Sequence, residues 1–277
     1  MPESSQFQEL RRPAVAGRFY PGDAASLERD VRRFLGVPPP DQVPARMVMV
    51  PHAGYIYSGA IAGETYARVR PRARAIVLGP NHTGLGSGRS LSPAAAWELP
   101  GGEVRTDVEL TELLREHAAL DAEPLAHLRE HAIEVQLPFL RATSPGSRFV
   151  AICLAQLSMD ACWRVAKGIA AAVRAASAED DVLLVASTDM SHYVPADVAS
   201  REDAFALDRV QALDGEGLYH VVRQRHISMC GYIPTTVALL VARELGAERA
   251  ELVRYGNSGE TSGDLTSVVG YAGAVGL

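Results

Sequence analysis

Lysine is almost absent from the sequence, because all of its 27 basic residues except Lys167 are arginine. A phosphate-binding loop of the G-x-x-x-x-G-K type requires a lysine near its end, and no such loop precedes Lys167. Catalysis through a lysine Schiff base would depend on the same single residue. The sequence therefore disfavours both phosphate-loop nucleotide binding and lysine-based covalent catalysis.

Cysteines and long apolar runs are also scarce, and basic residues are fewer than acidic ones. Three cysteines do not make the paired framework of a disulfide-rich secreted protein. A net charge of −6 with no basic cluster provides no electrostatic surface for nucleic acid. Apolar runs such as Phe149–Ala155 are far shorter than the roughly 18 to 20 residues that cross a membrane. Because the first residues are polar and contain no secretory signal, we expect a cytoplasmic protein.

Short apolar segments alternate with amphipathic segments along the chain. The predicted strands are Met47–Val50, Ala75–Leu78, Phe149–Leu154, Val182–Ala186, Glu251–Tyr255 and Ser267–Val275. The predicted helices are Asp23–Leu35, Ser58–Val69, Asp107–His117, His131–Arg141 with a kink at Pro138, Ser158–Ala176, Ala199–Leu213, Gly217–Arg225 and Thr235–Leu245. This alternation predicts an α/β fold: a single domain over residues 1–277, with a central mixed, mainly parallel sheet flanked by helices. Residues 1–12 are expected to form a polar tail.

Chemically reactive side chains follow several of the predicted strands. His52, His82 and His192 each lie just beyond a strand, and Asp189 shares a loop with His192, while Cys230 lies between two predicted helices. In α/β folds, ligands bind beyond the carboxyl ends of the strands, and these residue types bind metals or transfer protons. The residues therefore predict one metal or proton-transfer site. Since one strand–helix–strand unit separates His52 from His82, we expect two neighbouring strands to present them together.

The residues suggest individual roles within this site. Asp189 either orients His192 or forms a hydrogen bond to one of the metal ligands. Cys230 precedes a predicted helix, so a helix N-terminus and a bound cation would favour its thiolate form. Cys153 and Cys162 fall in apolar segments and are expected in the core.

The remaining histidines show weaker patterns. His117, His127, His220 and His226 are expected at the surface or at helix ends, whereas His131 with Glu134 forms a helix-start pair whose role the sequence does not define. The chain contains neither the paired Glu-x-x-His motifs of di-iron bundles nor the His-Glu-x-x-His motif of zinc proteases. The glycine-rich run after the second strand lacks the full Gly-x-Gly-x-x-Gly spacing for a dinucleotide.

Several of these runs together resemble the signature of the Memo family. The matching segments are Val50–Gly59 (VPHAGYIYSG), Gly79–His82, Glu130–Glu134, Ser187–Tyr193, Met229–Gly231 and Val268–Tyr271, with Ala16–Pro21 near the start. They occur in order and cover nearly the whole chain. Prokaryotic members are called the B component of the AmmeMemoRadiSam system, so the resemblance implies AMMECR-like and radical-SAM proteins as partners.

The resemblance also implies a fold similar to the class III extradiol dioxygenases, which use non-haem Fe(II). Matched by motif, His52 and His82 correspond to the metal histidines and His192 to the acid/base histidine. Cys230 takes the place of the carboxylate ligand, and a thiolate changes both metal preference and redox potential. The resemblance thus implies one metal ion, with Fe(II) favoured over copper or zinc, but it does not imply ring cleavage.

Two functions are compatible with these residues. One is a metal-dependent oxidoreductase in which His192 transfers protons with the support of Asp189. The other is a non-catalytic interaction protein that uses the former active-site cleft to bind a peptide or a partner protein.

Overall fold

The computed structural model describes residues 10–277. Its strands are β1 (Leu10–Arg11), β2 (Met47–Val50), β3 (Arg74–Pro80), β4 (Arg89–Leu91), β5 (Ala96–Leu99), β6 (Gly102–Arg105), β7 (Asp121–Ala122), β8 (Arg148–Leu154), β9 (Val182–Ser187), β10 (His192–Val194), β11 (Ala250–Asn257) and β12 (Val268–Gly276). Its helices are α1 (Ala24–Leu35), α2 (Tyr55–Ala67), α3 (Val108–His117), α4 (Leu125–Leu128), α5 (Leu137–Thr143), α6 (Met159–Ala175), α7 (Ala196–Gln211), α8 (Gly215–Arg225), α9 (Tyr232–Glu244) and α10 (Gly259–Ser262). None of the helices within this range is long and apolar enough to cross a membrane.

A mixed sheet forms the centre of the structure. Its strands run in the order β10-β12-β2-β9-β3-β8-β4-β7, and β11 pairs with β12. The four strands β2, β9, β3 and β8 are mutually parallel, whereas β12 and β4 join them in antiparallel orientation. The short strands β1, β5 and β6 make a separate sheet. The predicted α/β class, with a central, mixed sheet, is confirmed.

The expectation that neighbouring strands present His52 and His82 is wrong, because β9 lies between β2 and β3. All six residues of β9 are buried, and this strand pairs in parallel with both neighbours. The position between β2 and β3 is therefore occupied by β9, a strand that follows about a hundred residues later in the chain. Two strand spacings, roughly 10 Å, separate the ends of β2 and β3, a gap that side chains can cross.

Both faces of the sheet are buried, as the unbroken apolar strands require. In β2, Met47 and Met49 pack into one core with residues of α3, α6, α7, α8 and α9. The alternate residues Val48 and Val50 pack into a second core with α1, α2 and α5. Successive side chains of a strand point to opposite faces, so a four-residue apolar run is what a strand covered on both sides needs.

Helices α2, α7, α8 and α9 begin two or three residues before their predicted starts, and one predicted helix is divided. Helix α2 begins at Tyr55 rather than at Ser58, whose hydroxyl donates to the carbonyl of Ala53 instead of capping the helix. The helix predicted over residues 131–141 is divided into a 3-10 turn (Glu134–Gln136) and α5, with Pro138 in the first turn of α5. Proline fits a first turn because its missing N–H has no partner there. His131 therefore precedes both helical segments.

Helix α3 begins with an aspartate that has two functions. Asp107 accepts a hydrogen bond from the backbone N–H of Leu110 and forms a two-bond ion pair with Arg74, with N–O distances of 2.5 and 2.8 Å. Burial by itself would raise the pKa of Asp107, but Arg74 and the Leu110 N–H hold it below its usual value.

We expect Asp107→Ala to lower the free energy of unfolding by about 2 kcal/mol at neutral pH, since it removes both a cap and a charge-assisted pair. A lowered folded-state pKa stabilises the protein above the pKa of the unfolded chain and ceases to do so as the pH falls through the folded value. In denaturant unfolding, the difference in the free energy of unfolding between wild type and Asp107→Ala should therefore become smaller below about pH 4. Asp23→Ala removes a cap without an arginine pair and should cost less; an equal cost would contradict the role of Arg74.

Candidate metal centre

His52 follows β2 and is almost fully buried, with 2% of its surface exposed. Its Nδ1 lies 2.9 Å from the hydroxyl of Ser187, which already donates to the carbonyl of Ala132. Because that hydroxyl has one proton, His52 Nδ1–H is the donor, and the lone pair of Nε2 is directed into the site. Burial, with help from nearby His82, lowers the pKa of His52 to about 3. The imidazole is therefore neutral at physiological pH, as metal ligation requires.

His82 follows β3 and is held by a buried carboxylate. Glu130 accepts from the backbone N–H of His82 at 2.7 Å, and its second oxygen lies 2.9 Å from His82 Nδ1. Burial alone would raise the pKa of Glu130. Hydrogen bonds from His82 and from the Ala132 N–H instead lower this pKa to about 2. An ionised carboxylate at Nδ1 fixes the imidazole tautomer that presents Nε2 as a ligand.

His131 completes a group of three histidines. Its ring stacks on His82 with the centroids 4.7 Å apart, and it meets His52 edge-on at 5.3 Å. One candidate ligand atom from each of His52, His82 and His131 lies within 4.8 Å of the others. Burial, followed by the effect of His52, lowers the pKa of His131 to about 4, so this ring is also neutral. Three imidazoles whose ligand atoms lie at this separation can hold one metal ion.

The sequence did not identify His131 as a ligand. The feature of the sequence that points to His131 is its position directly after Glu130. The carboxylate of Glu130 accepts a hydrogen bond from the backbone N–H of His131 and also contacts His82. His131 does not follow a strand, so the rule that selected the other histidines could not select it. Only the packing of the turn before α5 against β2 and β3 brings this ring to the site.

Cys230 lies beside the three histidines without joining the group of mutually close ligand atoms. Its Sγ is 3.2 Å from His52 Nε2, and the backbone N–H of Asp189 points at the sulfur from 3.4 Å. In the absence of a cation, burial and the negative charge of Asp189 raise the pKa of the Cys230 thiol, so the thiolate form expected with a bound cation stays a prediction. The helix N-terminus does not overcome the cost of burying the charge.

Asp189 and His192 lie close to the site but have different partners. Asp189 accepts from the backbone N–H of His52 at 2.8 Å, and its burial raises its pKa. His192 Nδ1 donates to the carbonyl of Ser228 at 2.9 Å, so Ser228, rather than Asp189, orients this ring. His192 is near enough for its charge to lower the pKa of His52. Its Nε2 is the ring atom left for exchange of a proton.

The other cysteines and histidines are mostly where the sequence placed them. Cys153 and Cys162 are fully buried, as predicted. His117 and His220 are exposed, and His226 is the left-handed residue that ends α8. His127 lies at a helix end, in the last turn of α4, which is one of its two expected positions, but it is not at the surface. Its ring is buried beside Trp97, its Nε2 lies 3.0 Å from the Ser90 hydroxyl, and burial lowers its pKa to about 4.

Glu134 has a structural role that the sequence left undefined. Its buried carboxylate pairs with Arg11 and accepts from the backbone N–H groups of Ala14 and Val15 and from the hydroxyl of Tyr20. Arg11 also donates to two carbonyls of the segment that carries His131. The first described residues of the chain are thereby bound to the segment that supplies a candidate ligand. The polar tail predicted over residues 1–12 is wrong for Leu10 and Arg11, which form β1, while residues 1–9 lie outside the described residues.

The fold and the site together define an α/β protein with a three-histidine cluster beyond the carboxyl ends of its parallel strands. The family model for Memo-like proteins matches residues 11–275. A MEMO1 family protein of Aquifex aeolicus is 40% identical over 266 residues, covering 96% of this chain and 98% of its own. One from Methanothermobacter thermautotrophicus is 38% identical over 278 residues, covering 95% and 99%. One from Methanosarcina barkeri is 40% identical over 272 residues, covering 96% and 99%. The chain belongs to the Memo family.

Proposed function

We propose that the protein binds one redox-capable metal ion at His52, His82 and His131, with Cys230 beside them, and acts as a metal-dependent oxidoreductase related to the extradiol dioxygenases. The observation that carries the proposal is the convergence of three imidazole ligand atoms within 4.8 Å. Two of the rings have pKa values lowered to about 3 and 4, so they need not lose a proton to bind a metal.

The nature of the donors favours a transition metal. Imidazole suits iron, copper and zinc, whereas magnesium and calcium prefer oxygen ligands. We propose Fe(II), with copper or zinc as alternatives, because the family resemblance points to non-haem iron. When bound, iron or copper would supply one-electron chemistry and Lewis acidity at this position.

The residues around the three histidines would bind and transfer protons. The Ser228 carbonyl fixes His192 as the Nδ1–H tautomer, so Nε2 can accept a proton from a bound substrate. Asp189 is buried where it accepts from the backbone N–H of His52, and its negative charge raises the pKa of the Cys230 thiol. We propose an oxidisable small molecule or protein group as the substrate.

The test combines metal content with oxygen consumption. Protein purified without oxygen should contain close to one equivalent of metal and should consume O2 with at least one member of a panel of catechols, thiols and reductants. His192→Gln should retain the metal but slow consumption by about a hundredfold, the usual contribution of a general acid or base. His117→Gln, an exposed histidine at the end of α3, is the matched control and should behave as wild type. A metal-loaded protein that consumes no O2 with any member of the panel would contradict the oxidoreductase proposal.

A second function is favoured by apolar side chains near the site. Ile56 and Tyr57, at the start of α2, and Tyr193, next to His192, are 70%, 40% and 79% exposed. Exposed apolar and aromatic residues around a cleft are typical of interaction surfaces. The alternative is that the cleft binds a peptide or a partner protein without turnover. Absence of O2 consumption, together with saturable binding of a partner, would favour it.

The cytoplasmic location and the association with AMMECR-like and radical-SAM proteins stay predictions. The family resemblance supports the association. Purification of the full-length protein from its native cells, with mass spectrometry of whatever is retained, would test the association. Retention of neither protein type, including after mild cross-linking, would contradict it.

A further inference from the structure

A cavity of about 430 Å³ opens next to the loop that carries Cys230. It is lined by Val222, Arg223, His226, Ile227 and Tyr232, a set with two basic groups and no carboxylate. The apolar members provide walls, and the basic members provide hydrogen-bond donors. Ligand sites commonly combine apolar walls with a few convergent polar groups.

Arg223 is a cation without a carboxylate partner among residues 10–277. Its guanidinium lies 5.3 Å from the ring centre of Tyr219, and Nη1 donates to the hydroxyl of Tyr232. Arg225, only two residues further along α8, forms a two-bond ion pair with Glu202 at 2.8 and 3.1 Å. The same helix end therefore carries one neutralised arginine and one whose remaining N–H groups are available to an anion.

His226 adds a second donor to the cavity. It ends α8 with a φ of 54°, in the left-handed region that residues other than glycine seldom adopt. Its ring is exposed and lies among the lining residues. An imidazole and a guanidinium on one wall are a donor set suited to a carboxylate or phosphate oxygen.

The cavity and the histidine cluster share one loop. Ile227 lines the cavity, and the next residue, Ser228, holds His192 through its carbonyl. Cys230 contacts His52, and two residues later Tyr232 returns to the cavity wall. The Tyr232 hydroxyl donates to Gln156, which follows β8 at the same edge of the sheet as His82. The segment from Ile227 to Tyr232 therefore connects the cavity wall with the contacts of His192 and Cys230 at the candidate metal centre.

We propose that this cavity is a subsite for an oxyanion, a carboxylate or phosphate group, carried by the substrate that reacts at the histidine cluster. Arg223 is the main contact, His226 a second donor, and the Tyr232 hydroxyl holds the guanidinium in place. The inference rests on the proposed function in one respect, since it assigns the anion to the substrate of that site. Anion binding itself does not require a metal or turnover.

The experiment is a calorimetric titration of the protein with sodium acetate and, separately, with inorganic phosphate. Wild type should bind at least one of them saturably at millimolar concentration, and the anion bound more tightly identifies the group. Arg223→Gln, which keeps an uncharged polar side chain at this position, should weaken binding by about ten- to one-hundredfold, because it removes charge-assisted hydrogen bonds. His226→Asn, which tolerates the left-handed backbone, should weaken it less.

Two further variants separate this inference from the proposed function. Arg225→Gln is the matched control on the same helix and should bind the anion as wild type does. His82→Ala should also retain anion binding although its metal site is impaired. If acetate and phosphate do not bind wild type, or bind Arg223→Gln equally well, the subsite is overturned. Binding that persists in a protein without O2 consumption would support the subsite and contradict only the oxidoreductase.

Discussion

Replacing His82 with alanine should lower the affinity of the protein for a transition metal by two to three orders of magnitude. Metal binding free energies of about 10–16 kcal/mol in four-ligand protein sites correspond to roughly 3 kcal/mol for each ligand. His82 is one of the three imidazoles whose ligand atoms lie within 4.8 Å of one another. Competition titration with a chelator of known affinity, under anaerobic conditions, measures the change.

Glu130, which contacts Nδ1 of His82, provides a second variant for which a smaller loss of metal affinity is expected. Glu130→Gln keeps a similar shape but removes the charge that lies 2.9 Å from His82 Nδ1. Loss of such an outer partner usually weakens metal binding by about 10–100-fold. The affinity should therefore fall in the order wild type, Glu130→Gln, His82→Ala. An equal affinity for all three proteins would show that the metal binds elsewhere.

The same titration decides between two ligand sets. The family resemblance implies His52, His82 and Cys230, whereas the structure groups His52 and His82 with His131. If the three imidazoles are the ligands, His131→Ala should lose as much affinity as His82→Ala, and Cys230→Ser should lose less. The reverse order would assign the third position to Cys230, whose sulfur lies 3.2 Å from His52 Nε2. His220→Ala, an exposed histidine of α8, should bind as wild type and serves as the control.

Glu134→Ala should lower the free energy of unfolding by about 3–5 kcal/mol, the usual cost of removing one partner of a buried ion pair. The carboxylate has no exposed surface and satisfies Arg11, two backbone N–H groups and the hydroxyl of Tyr20. Without it, Arg11 keeps its contacts to the carbonyls of His127 and Glu130 and to the ring of Trp97, but its buried charge loses its carboxylate partner. Denaturant unfolding at neutral pH measures the effect.

An exposed ion pair offers the matched control. Glu260 pairs with Arg254 at 3.0 Å, and the two side chains are 50% and 35% exposed. Glu260→Ala should change the stability by at most about 1 kcal/mol, as is usual for surface pairs. Glu134→Ala should also weaken metal binding, because Glu134 lies three residues after His131. Similar stabilities for the two variants would contradict a structural role for Glu134.

The sequence predicted those parts of the structure that depend on short-range patterns. Apolar runs predicted β2, β3, β8 and β9 to within one or two residues, and Asp23, the first residue of a predicted helix, caps α1. Strand ends also selected His52 and His82, because ligand sites in α/β proteins lie beyond the carboxyl ends of parallel strands. Such features follow from local hydrogen bonding and from the alternation of side chains.

What the sequence by itself determined is therefore the α/β class and most members of the candidate site, including His52, His82, Asp189 and Cys230. Only the tertiary structure decided that β9 separates β2 from β3 and that His131 reaches the cluster. It also decided that the Cys230 thiol has a raised pKa. The physical reason is the same in each case. Strand order, the approach of a turn to a distant sheet edge and the burial of a charge depend on contacts between segments far apart in the chain, on which local patterns carry no information.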